Sequence, residues 1–366
     1  MPTVNEKLLD HSIQHSIDSI CYSNGVVRRM ISLLTRVEPD LIVKISAALE
    51  RLPNESFTVQ RLDNLLKGVR ELNAEAYKSL LVAMESELHD LVIYEAEYQQ
   101  GLFEAVIPVK LSIAPVNVES VYAAAVSRPF QSRLMKEWAQ SLEEGKAIRI
   151  RDALRHGYVQ GETIDQMVTR IRGTRAKGYA DELLEIDRRN AAAVVRTATS
   201  HVSGFVRDRF YEDNEDIVKS IQWISTLDGR TSSVCRAHDH HTYSNDTHKP
   251  LDGGPLWGAG PGRIHWNCRS TSVPVLKSWR ELGIDINDEP PSTRASIDGQ
   301  VPESTTYGQW LGKRSVSEQD DILGKSRGKL FRAGMPMERF VDRAGAELTL
   351  AEMRVKDAAL FKRAGI

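Results

Sequence analysis

Residues 223–274 read WISTLDGRTSSVCRAHDHHTYSNDTHKPLDGGPLWGAGPGRIHWNCRSTSVP and contain two of the three cysteines of the chain. Cys235 and His238 lie three residues apart, and so do His265 and Cys268. Each pair can supply two ligands from one short turn, and two such pairs satisfy tetrahedral zinc. The spacing therefore predicts a closed, structural zinc site made by these four side chains.

The same pattern has an explanation without metal. In that alternative, His265 and Asn267 hydrogen-bond to turn backbone, while Cys235 and Cys268 pack as small apolar groups or form a disulfide. The loop from Asp239 to Ile264 favours the metal, because it has too few apolar residues to hold its own ends together.

Other residues between Trp223 and Pro274 are candidates for binding or for turn formation. We expect His240, His241 and His248 to lie in an exposed loop, and the alternatives are additional metal ligands or a pH-sensitive surface. Asp228 and Asp239 are expected to form turns, with Asp228 bonding to its own loop backbone before Gly229. The glycine-rich run DGGPLWGAGPG lacks the Gly-Lys-Ser/Thr of a phosphate loop.

Three segments occur in a distinctive order: VVRTATSHV with helical composition, then WISTLDGRTSSVC, then HWNCRSTSVPVL. This order resembles the head-morphogenesis domain of phage Mu F-like minor head proteins, which carry Arg-Thr on a helix, then W-x-x-x-x-D-x-R-T-x-x-x-C, then H-P-N-C-R. Outside the ligand pairs, the matching residues are Arg196, Thr197, Trp223, Asp228, Arg230, Thr231, Asn267 and Arg269. The sequence departs from the family at Trp266, in place of proline, and at His240, in place of glycine.

The resemblance implies a non-enzymatic minor capsid protein that acts in viral capsid assembly and DNA packaging. Its expected partners are the portal protein, other head proteins and packaged DNA. We expect it in the virion, within the phage head, after assembly in the host cytoplasm. Neither a membrane nor a small-molecule substrate is expected among its partners.

Two other functions compete with this interpretation. Asp239, His240 and His241 followed by a Cys/His pair are similar to a metal-dependent HNH-type nuclease, but no histidine follows His265 to complete that site. The second alternative is an injected protein that carries a toxin after the head domain. The tail offers no catalytic constellation for this activity.

Length, composition and charge indicate which classes of protein this sequence fits. The chain has 366 residues, of which 41% are hydrophobic, and a formal net charge of −2. This length allows two or three domains, and the charge argues against a molecule that binds nucleic acid over its whole surface. No apolar run approaches a membrane span, and we expect no export signal and no disulfide framework.

Hydrophobic periodicity predicts a mostly α-helical protein with an embedded small α+β domain. We expect an N-terminal helical region over 1–108, a helical connector over 109–187, the head-morphogenesis domain over 188–287, and a linker with a C-terminal tail over 288–366. The first region should contain one helix about 60 Å long that ends near Pro108. The tail shows short helical patterns without an independent core.

The small domain should contain two strands. SIQWIST alternates apolar and polar residues before the turn at Asp228, and STSVPVL follows Cys268. Pro274 within the second strand cannot donate to a neighbour, so this strand is predicted at an edge.

The most basic part of the chain lies in the connector, and its arginines have two interpretations. They form an ordinary solvated face, or they contact the phosphates of packaged DNA. The candidates for phosphate contact are Arg149, Arg151, Arg155, Arg170, Arg172 and Arg175.

Overall fold

The computed structural model describes residues 3–51, 62, 64, 66–174, 176, 183–284, 293–296, 299–302 and 304–366. Over these residues the chain is mostly helical, with a small antiparallel three-stranded sheet in mid-sequence, which confirms the predicted fold class. Within the same residues, no helix combines the length and apolar character needed to cross a membrane.

Long helices occupy most of the chain before the sheet. They are α1 (Val4–Arg36), α2 (Glu38–Glu50), α3 (Lys67–Val106), α4 (Val118–Ser127), α5 (Met135–Val159), α6 (Ile164–Arg172) and α7 (Leu183–Asp213). Helix α3 contains 40 residues and ends just before Pro108, which confirms the predicted long helix. Thr163 caps α6 by accepting a hydrogen bond from the amide of Gln166.

The chain forms two compact units, each assembled from segments far apart in sequence. Unit 1 contains Met1–Ile20, Val92–Val121 and Ser200–Ile366, and unit 2 contains Cys21–Leu91 and Tyr122–Thr199. In unit 2, apolar side chains of α2, α3, α5 and α6 share one core that includes Ile45, Val69, Ile150 and Ile171.

The three-stranded sheet of unit 1 contains β1 (Val218–Ile224), β2 (Thr242–Ser244) and β3 (Thr271–Leu276) in the order β2-β1-β3. Helix α8 (Ser233–His238) lies between β1 and β2. Both pairings with β1 are antiparallel, and Pro274 lies opposite Ile221. Strand β3 is therefore an edge strand, as the proline predicts. The short strand β2 was not predicted, because three residues are too few to show alternation.

Aromatic side chains fill the core beside this sheet. Trp223, Tyr243 and Trp257 are buried in contact with one another, with ring centroids 5.5 Å apart for the two tryptophans and 4.9 Å for Tyr243 and Trp257. Tyr243 and Trp257 belong to the loop between the Cys/His pairs. The expectation that this loop cannot hold itself in place is therefore wrong, because two large side chains anchor it.

The C-terminal segment has more structure than predicted. Strands β4 (Thr293–Ser296) and β5 (Gly299–Pro302) pair within the expected linker. The short helices that follow are α9 (Tyr307–Gly312), α10 (Val316–Leu323), α11 (Lys325–Arg332), a 3-10 turn (Met337–Phe340), α12 (Leu350–Lys356) and α13 (Ala358–Ala364). Trp310, Leu330, Phe340 and Phe361 share a buried cluster with Leu227, so the tail packs around a core that also includes the turn after β1.

Unit 1 also contains a buried ionic network. Glu95 is completely buried on α3, and it accepts hydrogen bonds from His15 (2.9 Å), Gln99 (2.9 Å) and Arg207 (3.1 Å). Burial by itself raises the pKa of Glu95, but the Arg207 charge and the His15 contact outweigh it and lower this pKa to about 2. The carboxylate therefore stays ionised inside the helical core.

Candidate metal centre

The first cysteine lies on a helix and not on an open turn. Helix α8 (Ser233–His238) follows β1, and the Ser232 hydroxyl caps it by accepting from the amide of Cys235. The Ser225 hydroxyl donates to the carbonyl of Cys235 at 2.7 Å, which fixes this helix against the end of β1. Cys235 is thereby held with its sulfur in the protein interior.

The second cysteine ends a tight turn that leads into β3. The amide of Cys268 donates to the carbonyl of His265 at 3.2 Å, and Asn267 adopts a positive φ of 54° between them. Asparagine tolerates this left-handed conformation better than most residues. The turn directs the side chains of His265 and Cys268 to the same side.

Three of the four predicted ligands meet. Cys235 Sγ lies 3.5 Å from Cys268 Sγ and 3.1 Å from His265 Nε2, and the three ligand atoms all lie within 4.8 Å of one another. Both cysteines are buried and free of disulfide bonds, whereas His265 is half-buried. His265 Nδ1 lies 2.9 Å from the carbonyl oxygen of Trp266, so Nδ1 carries the proton and Nε2 directs its lone pair into the cluster.

The cluster favours a thiolate. The hydrogen bond between the two thiols raises the pKa of Cys235 and lowers the pKa of Cys268, and His265 lowers the pKa of Cys268 further. Burial opposes protonation of His265, but its interactions with Cys268 raise its pKa. A bound cation would favour thiolates at both cysteines, because metals bind the deprotonated form.

His238 is not the fourth ligand, and the predicted four-residue site is wrong on this point. Its ring is fully buried against Trp223, with centroids 4.3 Å apart, and its Nδ1 and Nε2 lie 2.8 Å and 2.9 Å from the carbonyl oxygens of Val234 and Leu256. The helical conformation of α8 brings the ring over the carbonyl one turn earlier. Burial lowers the pKa of His238, so it acts as a neutral packing residue near pH 7.

The donors fit a thiophilic cation. Two zinc-bound thiolates lie about 3.7 Å apart, close to the observed 3.5 Å, whereas bonded disulfide sulfurs lie about 2 Å apart. The cluster of Cys235, His265 and Cys268 could therefore hold a metal ion such as zinc.

The family-motif residues around this cluster form a second polar centre. Arg269 donates two hydrogen bonds to the Asp228 carboxylate, at 2.6 Å and 2.7 Å, and Thr231 and the amide of Arg230 also donate to Asp228. Burial by itself raises the pKa of Asp228, but the hydrogen bonds and charge of Arg269 lower it to about 2. The predicted contact of Asp228 with its own turn is present. The two hydrogen bonds from Arg269 were not predicted.

The remaining motif residues have structural contacts of their own. Trp223 is buried in the sheet core, and Asn267 is exposed in the turn before Cys268. Arg196 and Thr197 belong to unit 2, where Arg196 donates to Asn24 at 3.0 Å and buried Thr197 bonds the carbonyl of Ala193. The structure therefore assembles the centre from the later motif residues.

Sequence reasoning missed the groups that position the centre. Asp239 accepts from the amide of Ser225 (2.8 Å) and from the amide of Tyr307 (2.7 Å), and Tyr307 donates its hydroxyl to the carbonyl of Asp228 (2.9 Å). The placement of Ser232 three residues before Cys235 was a detectable capping signal. No local pattern could have linked Tyr307 to this turn.

The loop histidines are not simply exposed. His241 Nδ1 lies 2.9 Å from Asp252, and half-buried His248 stacks on Trp257 with centroids 4.6 Å apart. His240 is half-buried and adopts a positive φ of 67°. The loop is thus a packed element of unit 1.

Several of the candidate phosphate-binding arginines form ion pairs within the protein. Arg149 pairs with buried Asp187, Arg151 with Asp152 at 3.0 Å, and Arg170 with Glu162. Arg155 and Arg172 are exposed, and Arg175 lies outside the described residues. Arg149, Arg151 and Arg170 therefore have local structural explanations.

Comparison of the chain with family models, curated proteins and solved structures gives no match. The functional assignment therefore depends on the residues and contacts described above.

Proposed function

We propose that this protein is a minor head protein of a phage, acting without catalysis in head morphogenesis beside the portal and packaged DNA. The observation that carries the proposal is the convergence of the motif residues. Asp228 and Thr231 come from the turn after β1, Cys235 from α8, and Cys268 and Arg269 from the segment before β3, and direct contacts join all three segments.

The contacts of Asp228 favour an architectural role for this centre. Both carboxylate oxygens of Asp228 accept hydrogen bonds from Arg269, and these bonds join the turn after β1 to the segment before β3. Tyr307 of the tail adds a bond to the same turn. A carboxylate whose oxygens are occupied in this way is poorly placed to act as a general base, because catalysis needs access to the proton of a substrate.

Zinc is our proposed ion for the cysteine cluster. Thiolate and imidazole ligands match its preference, and the ion would join α8 to the turn before β3. Its role in this proposal is structural, as it adds a link to a region that Tyr243 and Trp257 already anchor.

Binding to the portal is the first test. The co-expressed portal protein of the same phage is expected to co-purify with this chain at low and moderate salt. Trp266→Ala should weaken the complex roughly tenfold, because Trp266 is 37% exposed beside the motif and exposed tryptophans are frequent interface anchors.

Val355→Ala is the matched control, because Val355 is 89% exposed on α12. This variant should bind the portal as the unaltered chain does. Failure of the unaltered chain to co-purify at any salt concentration would refute the proposed partner.

Binding to DNA is expected to be weak and non-specific, with affinity that falls steeply as salt rises. Arg155→Ala combined with Arg172→Ala should reduce the slope of log affinity against log salt by about two, one for each phosphate contact. Fluorescence anisotropy with two unrelated duplexes measures both effects.

The control is Lys362→Ala combined with Arg363→Ala, which removes the same charge from exposed positions on α13. Equal slopes for the two double variants, or no binding to DNA at low salt, would remove the connector arginines from the nucleic-acid site.

A further inference from the structure

We propose that the metal at Cys235, His265 and Cys268 has an open fourth coordination position, taken by water and exchangeable for a small monodentate anion. The inference rests on the zinc part of the proposed function, but it changes the expected site from closed to open. Three protein ligands with one solvent ligand are typical of reactive zinc, whereas structural zinc carries four protein ligands.

Among the residues that the structure describes, the cluster brings together three ligand atoms of histidine, cysteine or carboxylate type. The nearest alternatives on the same elements are engaged elsewhere. Both oxygens of Asp239 accept backbone amides, and both oxygens of Asp228 accept Arg269. His238 is buried between two carbonyl oxygens.

The Ser232 hydroxyl marks the open position. Its oxygen lies 2.7 Å from His265 Nε2 and accepts the amide of Cys235, so it is fixed beside two of the ligands. A neutral serine hydroxyl is not among the usual protein ligands of zinc. Ser232 is therefore assigned as a hydrogen-bond partner of the fourth ligand.

Burial gives the position a direction. Cys235 and Cys268 are 2% and 4% exposed, whereas His265 and Ser232 are partly exposed. The sulfurs thus face the protein interior, and the imidazole and hydroxyl lie on the side nearer solvent. An entering ligand would approach from that side.

The net charge of the metal centre limits which ligands can occupy the fourth coordination position. Two thiolates and a neutral imidazole balance the two positive charges of zinc, so water completes a neutral centre. A small anion such as azide can replace that water by simple ligand exchange, with no electron transferred and no covalent bond made within the protein. Bulky ligands are disfavoured, because the sulfurs are almost fully enclosed.

Cobalt substitution tests the proposal, because the visible bands of Co2+ report its coordination. The Co2+-loaded full-length protein is expected to show tetrahedral bands that shift when azide is added. Ser232→Cys should supply a third thiolate, raise the sulfur-to-cobalt charge-transfer intensity to about one and a half times that of the unaltered protein, and abolish the azide response.

Ser233→Cys is the matched control. Ser233 is adjacent in sequence, but its hydroxyl bonds to Glu347 at 2.9 Å, away from the cluster. This variant should retain the bands and azide response of the unaltered protein.

A spectrum of the unaltered protein that ignores azide would overturn the open position while leaving the metal site intact. Failure to bind cobalt at all would overturn both the open position and the zinc proposal. If Ser232→Cys does not fold, the azide response of the unaltered protein decides alone. Binding to the portal is measured separately, so failure of that proposal is distinguishable.

Discussion

Cys268→Ser is expected to reduce bound zinc from about one equivalent to below about a tenth. The substitution removes one of three protein ligands, and the two that remain are not enough for tight binding. The variant should remain folded, since Tyr243 and Trp257 still anchor the loop. It should unfold at a lower temperature, because the stabilisation by bound zinc is lost. At free zinc near a thousand times the dissociation constant, the lost stabilisation is about 4 kcal/mol. Elemental analysis of protein purified without chelator and calorimetry measure the two effects.

Two variants control this result. Cys21→Ser makes the same change at an exposed cysteine and should alter neither zinc content nor stability. His238→Gln should lower stability but keep the zinc, because His238 packs in the core outside the cluster. Loss of zinc from His238→Gln would restore the four-ligand prediction. Zinc below a tenth of an equivalent in the unaltered chain would end the metal assignment but not the head-protein proposal.

Glu95→Gln is expected to destabilise unit 1 by about 3–5 kcal/mol, because it leaves the buried Arg207 charge without its counter-charge. Urea denaturation near pH 7 measures the loss. Glu87→Gln is the matched control on the same helix, since its partner Arg29 is 52% exposed and an exposed ion pair contributes at most about 1 kcal/mol.

The effect of Glu95→Gln should depend on pH in a defined direction. The folded-state pKa of Glu95 is about 2, below its value in an unfolded chain, so its ionic stabilisation is complete above about pH 5 and is lost as pH falls towards 2. The stability difference between the two proteins should therefore shrink between about pH 5 and pH 3. A difference that is constant over this range would contradict the assigned ionisation.

The parts of the fold that the sequence predicted are those with a strong local signal. The 3–4 spacing of α3 extends over many turns, and the proline in β3 excludes an interior strand. The tail lacked such a signal, because each of its helices is only six to eight residues long and contributes few side chains to the shared cluster. A cluster of this kind exists only after distant helices meet.

The same limit applies to the metal centre. The sequence predicted Cys235, His265 and Cys268 correctly as members of one cluster, because each is a zinc-type ligand within a closely spaced Cys/His pair. Spacing fails for His238 because Cys-x-x-His fits a helix as well as an open turn, and Ser232 caps a helix there. The contacts of Asp239 with Ser225 and Tyr307 join residues up to 68 positions apart, which no local spacing reveals.

The division of unit 1 into three segments has a consequence for its synthesis on the ribosome. Unit 2 has its full sequence once Thr199 is made, but unit 1 also requires the segment that begins at Ser200. At typical translation speeds the part of it that completes the sheet, from Ser200 to Leu276, takes roughly four to fifteen seconds to be made. During this time Leu8 and Phe103, both fully buried in the finished fold, lack the complete sheet that covers them. We therefore expect the nascent chain to be a substrate for chaperones, and slower growth at low temperature should favour soluble protein over aggregates.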